Sequence, residues 1–283
     1  MEKIAIITDS TADLDVKYAE ENNIIILPFR IIYKDREYRD NIDIKAQEVY
    51  DNIKVEIPTS SLPSMADIED AFNKFTEEGY THVIAVTLST GLSGINNAIK
   101  LVSENFPELT TTVFDSRSIS EGEGYIVKEV RRMIDEGKSY EEIVDTLPKI
   151  RSSIKIFFIV DTLEYLVKGG RIGKVTGAIG TILNLKPIIC VGEDGKYFTY
   201  DKVRGKKQAV KRIHELAIES LKAGKELGIY DGNGKVDADK LYEELKSWCS
   251  DNKVGTVRRA GSISPVAGVH SGPGLIAIAI VDK

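Results

Sequence analysis

The order of elements along the chain predicts an α/β fold in two parts. The first is an N-terminal doubly wound parallel-sheet domain, the second a C-terminal two-layer α+β domain. Three observations carry this. In the first half, apolar runs such as Ile4–Thr8 and His82–Thr87 alternate with stretches of helical period, which implies parallel strands joined by right-handed crossovers. In the second half, Gly192-Glu193-Asp194-Gly195 separates two strand-like runs, a strong antiparallel hairpin signal. The length of 283 residues is enough for two cores of ordinary size.

Taken in order, Ile4–Thr8 reads as a strand, and Ser10-Thr11-Ala12-Asp13 has capping-box spacing for a helix ending near Asn22. Ile24–Leu27 reads as a strand, and Phe29–Tyr33 with Glu37–Arg39 as a hairpin. A short helix over Ala46–Ile53 precedes helix Met65–Glu78, strand His82–Thr87, helix Ser93–Asn105, strand Thr111–Phe114 and helix Gly122–Glu136. Ser139 caps a helix that Pro148 is expected to end. The expected domains are residues 1–152, with a small hairpin insert over about 28–45, and residues 153–283. Short helices over Thr162–Val167 and Val175–Leu183 flank a glycine turn. Strands Pro187–Val191 and Lys196–Tyr200, helices Lys206–Lys222 and Ala238–Ser250, and strands near 227–230, 254–259 and 275–281 complete the second half.

Composition narrows the function. The net charge of −6 argues against a nucleic-acid partner, because phosphate contacts require a basic surface. The longest apolar stretches fall well short of the ~20 residues that cross a bilayer, so stable membrane insertion is not expected. Met1 leads into the first strand without a basic leader, and the two cysteines, Cys190 and Cys249, lie in apolar or helical surroundings. A cytoplasmic location with reduced thiols is expected. Histidines 82, 214 and 270 are far apart in sequence, so no histidine metal site is expected. No phosphate-binding Gly-x-x-x-x-Gly-Lys, dinucleotide or nucleophile-elbow motif is present, so neither a cofactor nor ATP use by this chain alone is expected.

Four Gly/Ser-rich turns stand out: Ser60–Ser64, Ser89–Gly94, Gly169–Gly173 and His270–Gly274. They offer hydroxyls, backbone N–H groups and helix N-termini, a setting suited to a small anionic group. Each has a structural alternative. Ser93 has the place of an N-cap, as does Ser64 with Asp67 three residues on. Ser60 and Ser61 have no such job. Arg171 is either a surface ion pair or a contact to an anion or partner. Asp9 and Asp115 read as helix-entry caps. The run Lys202, Arg204, Lys206, Lys207, Lys211 and Arg212 reads as a solvated helix face or a dock for an acidic partner.

Six stretches in one order, Ile6–Leu14, Ser60–Ser64, Gly91–Gly94, Asp115–Arg117, Gly169–Ile172 and His270–Gly274, resemble the DegV family of bacterial fatty-acid-binding proteins. The resemblance spans essentially the whole chain. It implies a protein that binds a long-chain fatty acid and, as in some relatives, presents it to a separate ATP-dependent kinase subunit that makes acyl-phosphate. By that resemblance the carboxylate hydroxyls map onto Ser93 and the Ser60-Ser61 pair, with His270 near the head group. Gly94 and Ser271 of the same turns complete the expected ligand set, and Arg171 is expected at the contact with the kinase. Thr59 competes with Ser60, because the chain carries Thr59-Ser60-Ser61-Leu62-Pro63-Ser64 where many relatives have Thr-Ser-Gln-Pro-Ser. The segment Ala178–Leu183 is a candidate tail lining or ordinary helix packing. The alternative to a carrier is an enzyme acting on a carboxylate or acyl-phosphate with His270 as acid–base.

Overall fold

The computed structural model describes residues 2–175 and 184–282. A four-stranded parallel sheet is built from β1 (Ile4–Asp9), β2 (Ile24–Leu27), β6 (His82–Thr87) and β7 (Thr110–Asp115), in the order β2-β1-β6-β7. Every residue of β1 is buried, as expected of a parallel strand covered on both faces. Helices α3 (Met65–Glu77) and α4 (Ile95–Ser103) pack on each other, and α5 (Glu121–Asp135) packs on β1 and β6. Ser64 accepts from the Asp67 N–H and Asp67 from the Ser64 N–H, the capping box that the spacing predicts.

The hairpin is formed by β3 (Arg30–Ile32) and β4 (Glu37–Arg39). It gains a third strand, β5 (Thr59–Ser61), antiparallel to β3. The turn read at Ser60-Ser61 is therefore part strand. Pairing with a strand nearly thirty residues away is invisible to local pattern.

The second sheet has six strands: β8 (Ile154–Ile159), β9 (Leu185–Val191), β10 (Tyr197–Arg204), β11 (Glu226–Gly232), β12 (Thr256–Ser262) and β13 (Leu275–Val281). Their order is β10-β9-β8-β13-β11-β12, antiparallel except for β11 with β12. The predicted hairpin is β9–β10. Helices α8 (Lys206–Lys222) and α9 (Lys235–Asn252) pack together and cover one face through Ile213, Leu216, Leu241 and Leu245. The other face looks into the cleft, where α5, α7 (Glu164–Lys168) and α10 (Pro265–Ser271) lie.

Three expectations change. The Ser10–Asp13 capping box does not start a helix: Ser10–Ala12 is a single 3-10 turn, and α1 begins at Val16 under an Asp15 cap. Pro148 does not end its helix, and α6 runs from Tyr140 to Ser152, held down by Ile143 and Leu147, which are both buried. His270 sits in the last turn of α10 rather than in a loop. The candidate helix Val175–Leu183, and with it the tail lining at Ala178–Leu183, falls outside the described residues.

Candidate functional site

A cavity lies between the two sheets, enclosing about 840 Å³ of non-atom space with the solvent at its mouth included. Its walls are mostly apolar: Phe29, Leu88, Leu92, Ile156, Phe158 and Leu166 line it, with Ala277 and Ala279 as the floor. The floor follows from strand alternation. Leu275, Ala277 and Ala279 of β13 belong to the core on the cleft side, and Ile276, Ile278 and Ile280 to the core under α8 and α9. Alanines facing inward leave the room that isoleucines would fill.

One end of the cavity is polar, and four distant segments meet there. Ser60 Oγ lies 2.8 Å from His270 Nε2, across 210 residues of sequence. Alternation along β5 turns Ser60 inward and leaves Thr59 and Ser61 exposed, so of the three hydroxyls only Ser60 reaches the lining. Ser93, before α4, also lines the cavity, while its Oγ accepts from the Ile95 N–H at 3.3 Å. The N-cap of α4 is Gly94, which is exposed and outside the lining. Ser271 lines the cavity but donates its hydroxyl to the Gly272 carbonyl at 3.2 Å.

Arg171, expected at the contact with the kinase, lines the cavity. It is half-buried and donates to the carbonyls of Gly169 (2.6 Å) and Leu92 (3.3 Å). Among the described residues no carboxylate pairs with it, so a half-buried cation stands beside the neutral donors. Gly169 brings this turn against the imidazole: a Cβ there would lie 2.2 Å from His270 Nδ1. That close approach, rather than a backbone angle, requires glycine, because Gly169 has φ −78° and the left-handed residue is Gly170. Burial, reinforced by Arg171, pushes the His270 pKa down to about 4. The imidazole is therefore neutral at pH 7, with Nδ1 unpartnered, and is mismatched to general acid–base work there.

Buried acids, which the sequence reading took as caps or did not single out, surround the rest of the cleft. Asp13 Oδ1 accepts from the Ser264 N–H and Asp40 Oδ1 from the Val266 N–H, at 2.8 and 2.9 Å. Both hold the start of α10, and burial raises both carboxyls to about 7. Thr11 Oγ1, at the cavity wall, lies 2.6 Å from Asp9 Oδ1 and 3.0 Å from Glu123 Oε2. A hydroxyl has one proton to donate, so a carboxyl must supply the other. Burial raises both carboxyls, Glu123 well above its ordinary range. Asp9 does cap its 3-10 turn, as read from sequence, and also accepts from the Leu88 N–H at 2.8 Å. In the basic run, Lys206 pairs with Asp161 and Asp237, and Arg212 with Asp201 and Glu215, as on a solvated face.

The signal that sequence reasoning missed was available in part. The alternation Ile276-Ala277-Ile278-Ala279-Ile280 announces a strand with one packed face and one spacious face. Nothing local marks Thr11, Tyr197 or Tyr230 as lining.

Comparison with known proteins follows the same geometry. The chain matches the family described as "Uncharacterised protein, DegV family" over residues 3–283. A DegV domain-containing protein of Clostridium acetobutylicum is 47% identical across the full length of both chains. Among solved structures, DegV of Bacillus subtilis, described as a fatty acid binding protein, superposes with a TM-score of 0.90 at 26% identity and covers all of both chains. A fatty acid binding DegV family protein of Streptococcus agalactiae gives 0.89 at 30% identity, again over all of both chains. A stearic acid-binding protein of Eubacterium ventriosum gives 0.86 at 27% identity over 99% of each. With a match over residues 3–283 and a relative 47% identical across its full length, this chain belongs to the DegV family.

Proposed function

We propose that the cavity holds one long-chain fatty acid, with its carboxylate among Ser60, Ser93, Arg171 and His270, as a carrier rather than an enzyme. The observation that carries this reading is the cavity itself: an apolar space closed at one end by two hydroxyls, a neutral imidazole and a half-buried guanidinium. The B. subtilis, S. agalactiae and E. ventriosum structures, all described as fatty-acid-binding, support the ligand class. Burial of an acyl chain yields about 0.8 kcal/mol per methylene, so about fifteen methylenes supply on the order of 12 kcal/mol before ordering costs. Hydrogen bonds to a charged head are worth about 1.5–3 kcal/mol each and largely offset its desolvation. The tail sets affinity; the head sets orientation.

Arg171 has a second role in this reading. Its partial exposure marks the rim at which a separate ATP-dependent kinase subunit would reach the head group and phosphorylate it. Native mass spectrometry of the purified protein tests the carrier. A retained species of fatty-acid mass is expected, whereas a protein that carries none and binds none on addition of palmitate or stearate overturns it. Turnover of acyl-phosphate by this chain alone would favour the enzyme.

A further inference from the structure

We propose that Glu121, pinned by Tyr230 and Arg258, is the end wall of the cavity and sets the length of acyl chain the protein prefers. The proposal rests on the fatty-acid reading above and adds a residue that fixes specificity.

Two independent directions place Glu121 opposite the head group. The first runs across the six-stranded sheet. Phe198, Cys190, Phe157, Ile278, Ile229 and Arg259 are in register on successive strands, a row of five steps that spans about 24 Å at the usual strand spacing, with Tyr197 and Arg258 next to its two ends. The head-group side is Tyr197, close enough to Arg171 to feel its charge. The far side is Arg258, on the edge strand. The second direction is α10: His270 is at its C-terminal end, and Ile263 and Ser264 precede its first turn. Ile263 lines the cavity with Ser120 and Glu121, and Ser120 donates to Asp13, which also holds Ser264.

At this far end the wall is a fixed polar cluster. Glu121 opens α5, accepts from the Tyr230 hydroxyl, and pairs with Arg258 and with Lys128 (3.7 Å). Gly228 leaves room for the Tyr230 ring, which a Cβ there would approach to 3.2 Å, while Arg258 Nη2 stands at ordinary contact distance, 3.5 Å. The Glu121 side chain is 4% exposed, against 44% for Arg258 and 37% for Lys128. The carboxyl thus faces the interior while its cations reach water. A methyl end that advanced this far would strip hydrogen-bonding partners from a buried acid, a cost that grows steeply for charged groups. The chain is therefore expected to stop short of it.

The test uses the full-length protein, freed of lipid and titrated with palmitic, stearic and arachidic acids. Glu121→Ala removes the wall and leaves Arg258 and Lys128 free to turn to solvent. The ratio of arachidate to palmitate affinity is expected to rise at least tenfold, with the retained lipid shifted up by about two methylenes, the length that the deleted side-chain atoms vacate. Tyr230→Phe removes only the hydroxyl that pins the carboxyl and should shift the ratio the same way by a smaller factor. Glu121→Gln keeps the volume and the hydrogen bond and should keep the parent ratio. A parent that binds no fatty acid defeats the carrier reading. A parent that binds while Glu121→Ala and Tyr230→Phe, both folded by circular dichroism, keep the parent ratio overturns the end wall alone. Should Glu121→Ala fail to fold, the Tyr230→Phe ratio decides.

Discussion

The two faces of strand β13 show what separates a core from a container. On one face Ile276, Ile278 and Ile280 pack under α8 and α9; on the other, Ala277 and Ala279 floor the cavity. The same strand, with the same backbone pairing to β8 and β11, is filled on one side and spacious on the other. Side-chain volume alone makes the difference. The packed face stabilises the fold outright, and the spacious face holds back burial that a ligand can later supply.

The buried acids divide in the same way. Asp9, Asp40, Glu121 and Glu123, with the half-buried Asp13, lie on the cavity side or beneath it, whereas the buried acid Asp231, two residues from Ile229 of the core under α8 and α9, is paired with Arg259. A cleft that must stay open cannot be sealed by apolar packing. Side-chain acceptors on backbone N–H groups hold α10 in place instead, at the cost of proton uptake.

The largest test of the comparison is on the packed face. Ile276→Ala should lower unfolding free energy by about 2–5 kcal/mol, read by chemical denaturation, while the retained lipid species is unchanged. Loss of lipid without loss of stability would erase the distinction between the faces.

Next comes pH. Asp13, Asp40 and Glu121 are raised to about 7 in the fold from near 4 in the unfolded chain. Between those values the folded state holds protons that the unfolded state releases, so stability falls as pH rises from about 4 through 7. His270 runs the other way: its depressed value means that stability falls as pH drops from about 6.5 to about 4. With these three carboxyls, and Asp9 and Glu123 raised by burial as well, against one imidazole, the melting temperature is expected to rise from pH 8 to pH 5. Asp40→Asn keeps an acceptor for the Val266 N–H and removes one titration. It should flatten that rise by about 1.4 kcal/mol for each pH unit over which its protonation differs and melt higher than the parent at pH 8. A variant that tracks the parent across the range would show that Asp40 does not take up the proton.

On the spacious face, Ala277→Leu should weaken fatty-acid binding by about 1–3 kcal/mol, roughly 5- to 150-fold, with the lipid-free protein as stable as the parent. Binding unchanged in titration would show that the floor is elsewhere. Smallest is the head group. Ser93→Ala should cost binding about 1 kcal/mol, because one hydrogen bond among several is partly replaced by water. Arg171→Ala should cost more than Ser93→Ala, since it removes the cation that lines the head site among the described residues. The reverse order would move Arg171 out of the pocket and back to the partner surface suggested by the family resemblance.

Much of the fold was legible. The Gly192–Gly195 hairpin, the Ser64 and Ser139 caps and the parallel strands of the first half were all written in turn chemistry and period, which act over a few residues. Where such signals failed, long-range packing prevailed. Pro148 stays helical because Ile143 and Leu147 anchor its helix, and Asp13 turns away from capping because Ser120 and Ser264 meet it across the cleft. Of the site, the sequence named Ser60, Ser93, Arg171, His270 and Ser271, all of which line one cavity, but it offered Ser61 and Gly94 on equal terms. One-residue alternation along β5 and the start of α4 set those two outside.

The chain by itself determined its turns and its periods and marked its hydroxyls, its glycines and Arg171 as candidates, because these depend on neighbours a few bonds away. Only the tertiary structure decided that Ser60 meets His270, that Arg171 lines the cavity, and that Asp9 of β1 and Glu123 of α5 meet at Thr11 beside an apolar space. Those outcomes depend on distance and desolvation between residues far apart in sequence, and both arise only when the two sheets close on each other.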